Sequence, residues 1–309
     1  MPKLNWYKGN IHTHTTESDG DDTPENVVRW FRRNGYDFLV LSDHNHLTLF
    51  EYATGKRRFK RPLMIPGEEV SVNINSGATA IHINAIGISK VIEPTDAKDI
   101  VQTLQANINA IVNSGGMASI NHPNYKWSFD HTAISRVKGA TLLEIFNGVP
   151  FANVNGAPGR ASYEEIWDGV LSSGTPIFGV ATDDSHNYKT FRPDMANPGR
   201  GWLMVRATNL SQKEILESIS TGEFYSSTGI TINDVEKSNK TISINIEQGI
   251  GQAMDFIYTT QFIGKNGNVY KECTGSNPKY EIQGNEGYIR AQITSSSGQK
   301  AWLQPVFPK

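Results

Sequence analysis

Residues 1–230 alternate short apolar runs with stretches of helical periodicity, and this alternation limits the possible folds more than any other feature of the chain. It is typical of successive βα units. Most candidate strands have the length of a buried strand, and they span residues 9–14, 38–42, 63–69, 80–86, 117–120, 142–146, 177–181 and 202–206. The pattern predicts an α/β fold, for which a single (β/α) barrel is one possible arrangement.

Four helices are predicted between these strands from their start signals. The first begins at Thr23-Pro24, which offers an N-cap followed by proline at the first helical position. The others begin after Thr95, at Ser162 and at Ser211. The last two have a glutamate three residues later, as in a capping box.

After residue 230 the apolar pattern changes to a period of two, as in residues 242–246. This alternation predicts half-buried strands, and the Asn-Gly pair at 266–267 has the chemistry of a hairpin turn. We therefore predict two domains, an α/β barrel over residues 1–230 and a small antiparallel, β-sandwich-like domain over residues 231–309.

The charge balance and the single cysteine exclude several classes of function. Lys and Arg number 29 against 31 Asp and Glu, for a net charge of −2, so we expect no dedicated nucleic-acid surface. No apolar run reaches the ~18 residues of a membrane span, so we expect a soluble chain without a membrane partner. Its compartment stays open: cytoplasmic as the chain stands, periplasmic or secreted if a leader was removed. The oligomeric state also stays open. Cys273 is the only cysteine, which excludes an intrachain disulfide and a cysteine-rich zinc site.

Histidines and carboxylates, the remaining common metal ligands, concentrate near the ends of the predicted strands. His12 and His14 end the first strand, where period-two geometry points both imidazoles to one face. Further candidates are Asp19, His44, Glu68 or Glu69, His82, His122, Asp183 or Asp184, and His186. In a (β/α) barrel the strand ends gather at one rim, so these groups can converge in one pocket. His46 and His131 are interpreted instead as exposed or internally satisfied histidines.

A metal centre explains this set, because unpaired carboxylates and imidazoles are costly to bury and a divalent cation compensates them. Neutral imidazole and carboxylate without thiolate suit Zn, Mn or Fe. At about three to four protein ligands per ion, with a glutamate able to bridge, nine groups suit two or three ions. The set therefore predicts a multinuclear centre.

One series of motifs contains most of these residues. It consists of His12-x-His14, Ser18-Asp19-Gly20, Asp43-His44-Asn45, Pro66-Gly67-x-Glu69, His82, His122-Pro123 and Asp184-x-His186. The series resembles the polymerase and histidinol phosphatase (PHP) superfamily, over about residues 5–230. The resemblance implies a distorted (β/α)7 TIM-like barrel with a trinuclear metal centre at the carboxyl-terminal rim of its strands. Residues 6–10, 201–202 and 224–229 are further similar to the branch of metallohydrolases that includes carbaryl hydrolases.

The resemblance also implies how three ions would share the ligands. The first would be held by His12, His14, Glu69 and Asp184, the second by Glu69, His82 and His122, and the third by Asp19, His44 and His186. Glu69 and Asp184 are preferred over their neighbours Glu68 and Asp183 because strand alternation sends adjacent side chains to opposite faces.

The activity implied is hydrolysis of a small-molecule phosphomonoester or phosphodiester by a metal-bridging hydroxide. Asp184 and His186 are candidates for proton transfer, although a coordinated histidine is a poor free base. Arg200 ranks first among cations that could bind the phosphate, followed by Arg160 and Lys126. Asn147 and Asn155 are weaker candidates for hydrogen bonds to the substrate.

Two alternatives stay open. The same centre could hydrolyse a carboxylic or carbamate ester, since hydroxide also attacks a planar carbonyl. The chain could instead be a noncatalytic module that metal ions stabilise. The complete set of nine ligands argues against that second alternative, because a degenerate copy need not keep them.

Overall fold

The structure is a computed structural model that describes residues 4–51, 61–248 and 256–308. Over these residues the chain is a mixed α/β protein with three sheets and few helices. The helices are α1 (Pro24–Arg33), α2 (Ile100–Asn113), α3 (His131–Ile134), α4 (Tyr163–Ser172) and α5 (Gln212–Ser220). In the described part of the chain, no helix combines the length and the apolar character that a membrane crossing requires.

The largest sheet has nine strands and joins the two ends of the sequence. Its spatial order is β14 (Asn268–Thr274), β13 (Tyr258–Gly264), β16 (Ile289–Ser295), β17 (Lys300–Leu303), β10 (Phe224–Ser227), β9 (Trp202–Ala207), β1 (Asn5–Asn10), β2 (Phe38–Leu39) and β3 (Leu63–Met64). Only β1, β2 and β3 pair in parallel. Strands from beyond residue 230 thus extend the sheet that contains β1.

The other two sheets are smaller. The five-stranded sheet has the order β4 (Gly67–Ile74), β5 (Thr79–Ile86), β6 (Met117–Ile120), β7 (Ala140–Asn147) and β8 (Phe178–Thr182). The three-stranded sheet consists of β11 (Ile232–Lys237), β12 (Thr241–Ile246) and β15 (Lys279–Glu281) and is antiparallel throughout.

The predicted barrel is not found as a closed ring among the described residues. Among the described residues, β-bridge pairing between the nine-stranded and five-stranded parts of the chain is limited to isolated bridges, between His44 and Glu69 and between Thr13 and Ser185. The strand order is interrupted between β3 and β4, and β4 and β5 form an antiparallel hairpin instead of two parallel strands separated by a helix. Strands β6, β7 and β8 alone in that sheet keep the predicted parallel pairing.

Local signals predicted the elements better than their boundaries. The strand at residues 117–120 is confirmed, whereas the predicted strand 63–69 is divided between β3 and β4. The prediction that α1 begins at Pro24 is confirmed, and so is the capping box that Ser162 forms at the start of α4. Helix α2, predicted to begin after Thr95, has Asp99 as its N-cap, because the Asp99 side chain accepts the N–H of Gln102 at 2.8 Å.

The prediction of antiparallel strands after residue 230 is confirmed. The hairpin between β13 and β14 turns at Asn266 and Gly267, both with positive φ. The predicted domain boundary at residue 230 stays a prediction. Tyr288 and Trp302, which follow it, pack in the same hydrophobic cluster as Trp167 of α4.

Candidate metal centre

The nine predicted ligands converge in one place. They come from the segments that follow β1, β2, β6 and β8, and from β4 and β5. Within each of four groups the possible ligand atoms all lie within 4.8 Å of one another. The groups are His14, Asp19, His44 and His186; His12, His14 and Glu69; His12, His122 and Asp184; and His44, Glu69 and His82. Which of these side chains ligate a metal stays a prediction.

Glu69 lies at the centre of this cluster. Its Oε1 is 3.2 Å from His12 Nε2, 3.3 Å from His82 Nδ1 and 3.1 Å from His122 Nε2. Its Oε2 is 2.8 Å from His44 Nδ1. The two oxygens of one carboxylate thus face different imidazoles, which is the geometry that a bridging ligand needs.

Asp184 and Asp19 provide two further carboxylates that face the imidazoles of the cluster. Asp184 Oδ1 is 3.1 Å from the Nε2 atoms of both His12 and His14. Asp19 is more exposed, and its carboxylate is 3.5 Å from His44 Nε2 and 3.4 Å from His186 Nε2. The four groups share members and do not coincide with the three predicted sets of ligands, so the division of the ligands among ions stays a prediction.

The neighbours Glu68 and Asp183 point away from this cluster. The Glu68 carboxylate accepts the backbone N–H of Ile92. Asp183 Oδ1 accepts the backbone N–H groups of Arg200 and Gly201 at 2.7 and 2.9 Å. Strand alternation explains the opposite directions of Glu68 and Glu69 in β4, whereas Asp183 and Asp184 follow the end of β8.

Unusual backbone conformations turn two of the ligand candidates into the pocket. His122 and Asp184 have positive φ angles of 21° and 48°, a region that non-glycine residues rarely adopt. The N–H of Asp184 donates to the carbonyl of His12 at 3.1 Å, and the N–H of His14 donates to the carbonyl of Ser185 at 3.0 Å. These bonds hold the two chain segments against each other where the strands end.

Sequence reasoning missed the carboxylate that orients His12. Glu144 lies in β7 and is fully buried, and its Oε1 is 2.7 Å from His12 Nδ1. Its Oε2 accepts the backbone N–H of His122 at 2.7 Å and the Nδ2 of Asn147 at 3.0 Å. A carboxylate on Nδ1 fixes the ring so that Nε2 faces Glu69 and Asp184. The sequence feature that could have identified Glu144 is its position as an acidic residue inside an apolar run.

Two further polar residues support the cluster. Asn121 Nδ2 donates to Glu69 Oε1 at 2.7 Å, which fixes the central carboxylate. Asp43 accepts the backbone N–H of Thr15 at 2.7 Å and the Ser18 hydroxyl at 2.8 Å. Asp43 therefore holds the loop that presents Asp19.

Buried nitrogen atoms without hydrogen-bond partners show that the residues fit a metal. Among the described side chains, these atoms include Nε2 of His12, Nε2 of His14 and both ring nitrogens of His82. Leaving a buried polar atom unpaired is unfavourable, and coordination to a cation would remove that cost. Imidazole and carboxylate donors suit Zn, Mn or Fe.

Opposite charges dominate the electrostatics around Glu69. Burial alone would lower the pKa of His44, but the carboxylates of Glu69 and Asp19 outweigh it and raise that pKa to about 10. Burial alone would raise the pKa of Glu69, but the surrounding imidazoles hold it well below its usual value. Glu69 is therefore ionised at neutral pH, as a metal ligand must be.

Two imidazoles in the cluster stay neutral. Burial, together with the nearby His186, lowers the pKa of His14 to about 4, although Asp184 and Glu69 act in the opposite direction. Burial likewise lowers the pKa of His82. The neutral imidazole is the form that binds a metal.

The cluster lines a cavity of about 280 Å³. Seven candidate ligands line it, all except His12 and His14, and the remaining lining residues are Tyr125, Val149, Phe151, Ala152, Met195 and Ala196, with Asn187 and Asp194. Among the described residues that line it there is no lysine or arginine. The cavity therefore has a polar side with ligands and a mainly apolar side.

The predicted phosphate-binding cations lie outside this lining. Arg200 Nη1 donates to the carbonyl of Gly148 at 2.7 Å, and its Nη2 donates to the carbonyl of Arg192 at 3.0 Å. Lys126 Nζ donates to the carbonyl of Gly77 at 2.9 Å. Arg160 is exposed, with its guanidinium 5.7 Å from the ring centre of Trp127.

The two predicted asparagines differ in position. Asn147 is buried and its Nδ2 donates to Asp184 Oδ2 at 3.0 Å, so it supports a candidate ligand. Asn155 is exposed and belongs to another groove, between α4 and the nine-stranded sheet. His46, interpreted as an ordinary histidine, is exposed.

Comparison with known proteins gives structural neighbours only. No protein-family model and no curated protein matches the chain. The chain is similar to a two-domain protein from Bacteroides vulgatus ATCC 8482 that contains a predicted PHP-like metal-dependent phosphoesterase. The TM-score is 0.50 at 16% sequence identity, and the alignment covers 98% of this chain and 96% of that one.

Two further solved structures are more distant. One is an amidohydrolase from Chromobacterium violaceum with bound sulfate and no metal, with a TM-score of 0.39 at 15% identity over 61% of this chain and 93% of that one. The other is a Bifidobacterium adolescentis ATCC 15703 protein whose assignment as a metal-dependent phosphoesterase is provisional. Its TM-score is 0.37 at 15% identity over 60% of this chain and 89% of that one. The chain therefore shares its fold with a two-domain protein that contains a predicted PHP-like metal-dependent phosphoesterase.

Proposed function

We propose that this protein is a metal-dependent hydrolase that cleaves phosphoester bonds in small molecules at a trinuclear centre. The observation that carries the proposal is the convergence of nine imidazole and carboxylate side chains, several with buried nitrogen atoms that lack hydrogen-bond partners. Such a set is costly to assemble without cations. The fold shared with a protein that contains a predicted phosphoesterase supports the same reaction class.

The ligands would be shared as the motifs imply, with Zn, Mn or Fe in each position. One ion would bind to His12, His14, Glu69 and Asp184, a second to Glu69, His82 and His122, and a third to Asp19, His44 and His186. When bound, these ions would supply an activated water and stabilise negative charge on the phosphoryl oxygens.

The protein's own residues would position this chemistry. Glu144 orients His12, and Asn147 holds the second carboxylate oxygen of Asp184. The backbone carbonyl of Asp184 is 2.8 Å from His186 Nδ1, which leaves Nε2 of that imidazole facing Asp19. Asp184 and His186 remain candidates for proton transfer only where they are not coordinated.

The size and lining of the cavity bear on the substrate. A volume of about 280 Å³ suits a small molecule and not a folded nucleic acid. The lack of lysine and arginine among the described lining residues favours a second candidate, a carboxylic or carbamate ester, because a neutral ester needs no cationic partner. A phosphoester would depend on the metal ions to offset its charge.

Metal analysis and a substrate panel test the proposal. We expect more than one equivalent of metal in the purified protein, and hydrolysis of p-nitrophenyl phosphate or its bis ester faster than p-nitrophenyl acetate. The opposite order of rates would favour the carbonyl ester. Metal binding without turnover would favour a noncatalytic module, and no metal after repletion with Mn or Zn would refute the centre itself.

Substitution of one ligand candidate makes the test specific to the site. We expect His14→Ala to abolish metal-dependent turnover, since His14 is fully buried and faces both Glu69 and Asp184. His46→Ala is the matched control because His46 lies on the surface and in none of the ligand groups. Equal activity in the two variants would contradict the ligand assignment.

A further inference from the structure

The apolar side of the metal cavity is built by three different loops. Tyr125 follows β6, Phe151 follows β7, and Met195 follows β8. Val149 and Ala152 lie behind them and are buried. Because the three loops come from neighbouring parallel strands, their side chains meet at the same edge as the candidate ligands.

Aromatic rings connect this side directly to the candidate ligands. The Tyr125 ring lies edge-on to the imidazole of His122, with ring centres 5.3 Å apart. The ring of Phe151 is 6.3 Å from that of Tyr125, measured between centres. A group bound against these two rings would therefore be held next to a scissile bond placed at the ligands.

Phe151 is a large apolar side chain that is 60% exposed and lines the metal cavity. It lines the same cavity as Tyr125, Val149 and Met195, and its ring lies beside that of Tyr125. Exposed apolar surface that adjoins a polar site marks a place where a ligand removes it from water.

Charge on this side of the cavity is compensated within the protein. Asp194 is its only described acidic or basic residue outside the candidate ligands, and Arg192 binds both of its carboxylate oxygens, at 2.9 and 2.6 Å. No described lysine or arginine lines the cavity to receive a second anionic group. A charged distal group would lose its water here without gaining a partner.

We propose that the apolar side binds an uncharged, ring-sized apolar group of the substrate, so that the preferred substrates are esters with an aryl or similar apolar substituent next to the scissile bond. This inference rests on the proposed metal-dependent hydrolysis at the same cavity. The volume fits, because a cavity of about 150 Å³ lined by apolar side chains is enough for benzene. The remainder of the 280 Å³ would hold the reacting group at the ligands.

Non-hydrolysable phosphonates isolate the distal group from the chemistry. Binding of methylphosphonate, phenylphosphonate and 4-carboxyphenylphosphonate to the metal-loaded protein can be measured by calorimetry. We expect phenylphosphonate to bind about tenfold more tightly than methylphosphonate, since one ring is removed from water. The added carboxylate in the third compound should cancel that gain.

A matched pair of variants assigns the effect to the apolar side. Phe151→Ala should reduce the ratio of the affinity for phenylphosphonate to that for methylphosphonate to about two. The reason is that one of the two rings, Tyr125 and Phe151, is lost. Phe191→Ala is the control, since Phe191 is similarly exposed at 54% and lies outside the cavity lining. Metal content of both variants should match that of the unchanged protein.

The outcomes separate this inference from the proposed function. Equal affinities for the methyl and phenyl compounds, or an equal loss of preference in both variants, would overturn the inference. An intact preference for the phenyl compound in a protein that hydrolyses no phosphoester would overturn the phosphoesterase proposal and support apolar recognition. Hydrolysis of phosphoesters by a protein that binds phenylphosphonate no more tightly than methylphosphonate would support the phosphoesterase proposal and overturn apolar recognition.

Discussion

At the scale of single residues, the contact between His12 and Glu144 is the one on which the candidate centre depends most. Both side chains are fully buried, and Glu144 accepts from four donors. The carboxylate thereby fixes both the His12 ring and the backbone of His122. A carboxylate behind a ligating imidazole raises its basicity and fixes its orientation.

Glu144→Gln is expected to weaken metal binding about 10- to 100-fold, in the range that loss of such a supporting carboxylate causes. The amide keeps the size of the side chain but has only one acceptor oxygen, so its NH2 group must face a donor. The measurement is the dissociation constant for Zn or Mn by titration calorimetry.

The control for this change is Glu217→Gln, which makes the same chemical substitution on the exposed surface of α5. We expect its dissociation constant to stay within about twofold of the unchanged protein, as surface substitutions have small effects. A similar loss of metal affinity in both variants would mean that Glu144 does not support the metal ligands.

The sequence predicted the residues of the cluster better than the residues that support it. Histidines and carboxylates at strand ends are rare enough in apolar surroundings to suggest metal. Glu144 could not be assigned in this way, because its partner His12 is 132 positions away in the sequence. The role predicted for Arg200 stays a prediction. A basic residue in a predicted rim loop suggested phosphate binding, yet its guanidinium bonds to backbone carbonyls.

At the scale of elements, the contact between α4 and β16 contains a buried ion pair. Arg290 of β16 is 1% exposed and binds Asp168 of α4 through Nε and Nη2, both at 2.7 Å. The Tyr288 hydroxyl donates to the same carboxylate at 2.7 Å. The next carboxylate, Glu164, is 4.0 Å from the guanidinium.

Asp168→Asn is expected to lower the free energy of unfolding by about 3–5 kcal/mol, because removing one partner leaves a buried charge uncompensated. The measurement is urea unfolding followed by fluorescence. Breaking the exposed pair of Arg192 and Asp194 with Asp194→Asn should cost less than about 1 kcal/mol, because exposed ion pairs are screened by water. A comparable loss in the two variants would show that burial does not decide the strength of the α4–β16 pair.

The sequence did not predict whether neighbouring strands pair in parallel or antiparallel. Apolar runs identify β4 and β5, but the same runs are compatible with parallel or antiparallel neighbours. The connection between them contains only residues 75–78, which is too short for a crossover helix. The predicted strand at residues 63–69 was treated as continuous, although one sheet ends at β3 and another begins at β4 within it.

At the scale of the whole molecule, the nine-stranded sheet joins the segments before and after residue 230. Strand β10 pairs with β9 on one side and with β17 on the other. The side chain of Gln304 accepts the N–H of Gly179 and donates to its carbonyl, both at 2.8 Å. Trp302 and Tyr288 fill part of the hydrophobic cluster that includes α2 and α4.

We therefore expect the full chain to unfold in one cooperative transition, and a chain that ends at residue 230 not to fold alone. Truncation would expose the β10 edge and the apolar surface under Trp302, which is 1% exposed in the whole protein. Thermal unfolding followed by near-ultraviolet and far-ultraviolet circular dichroism tests both statements. Two transitions at separate temperatures, or a truncated chain with native near-ultraviolet signal, would show that the shared sheet does not couple the two segments.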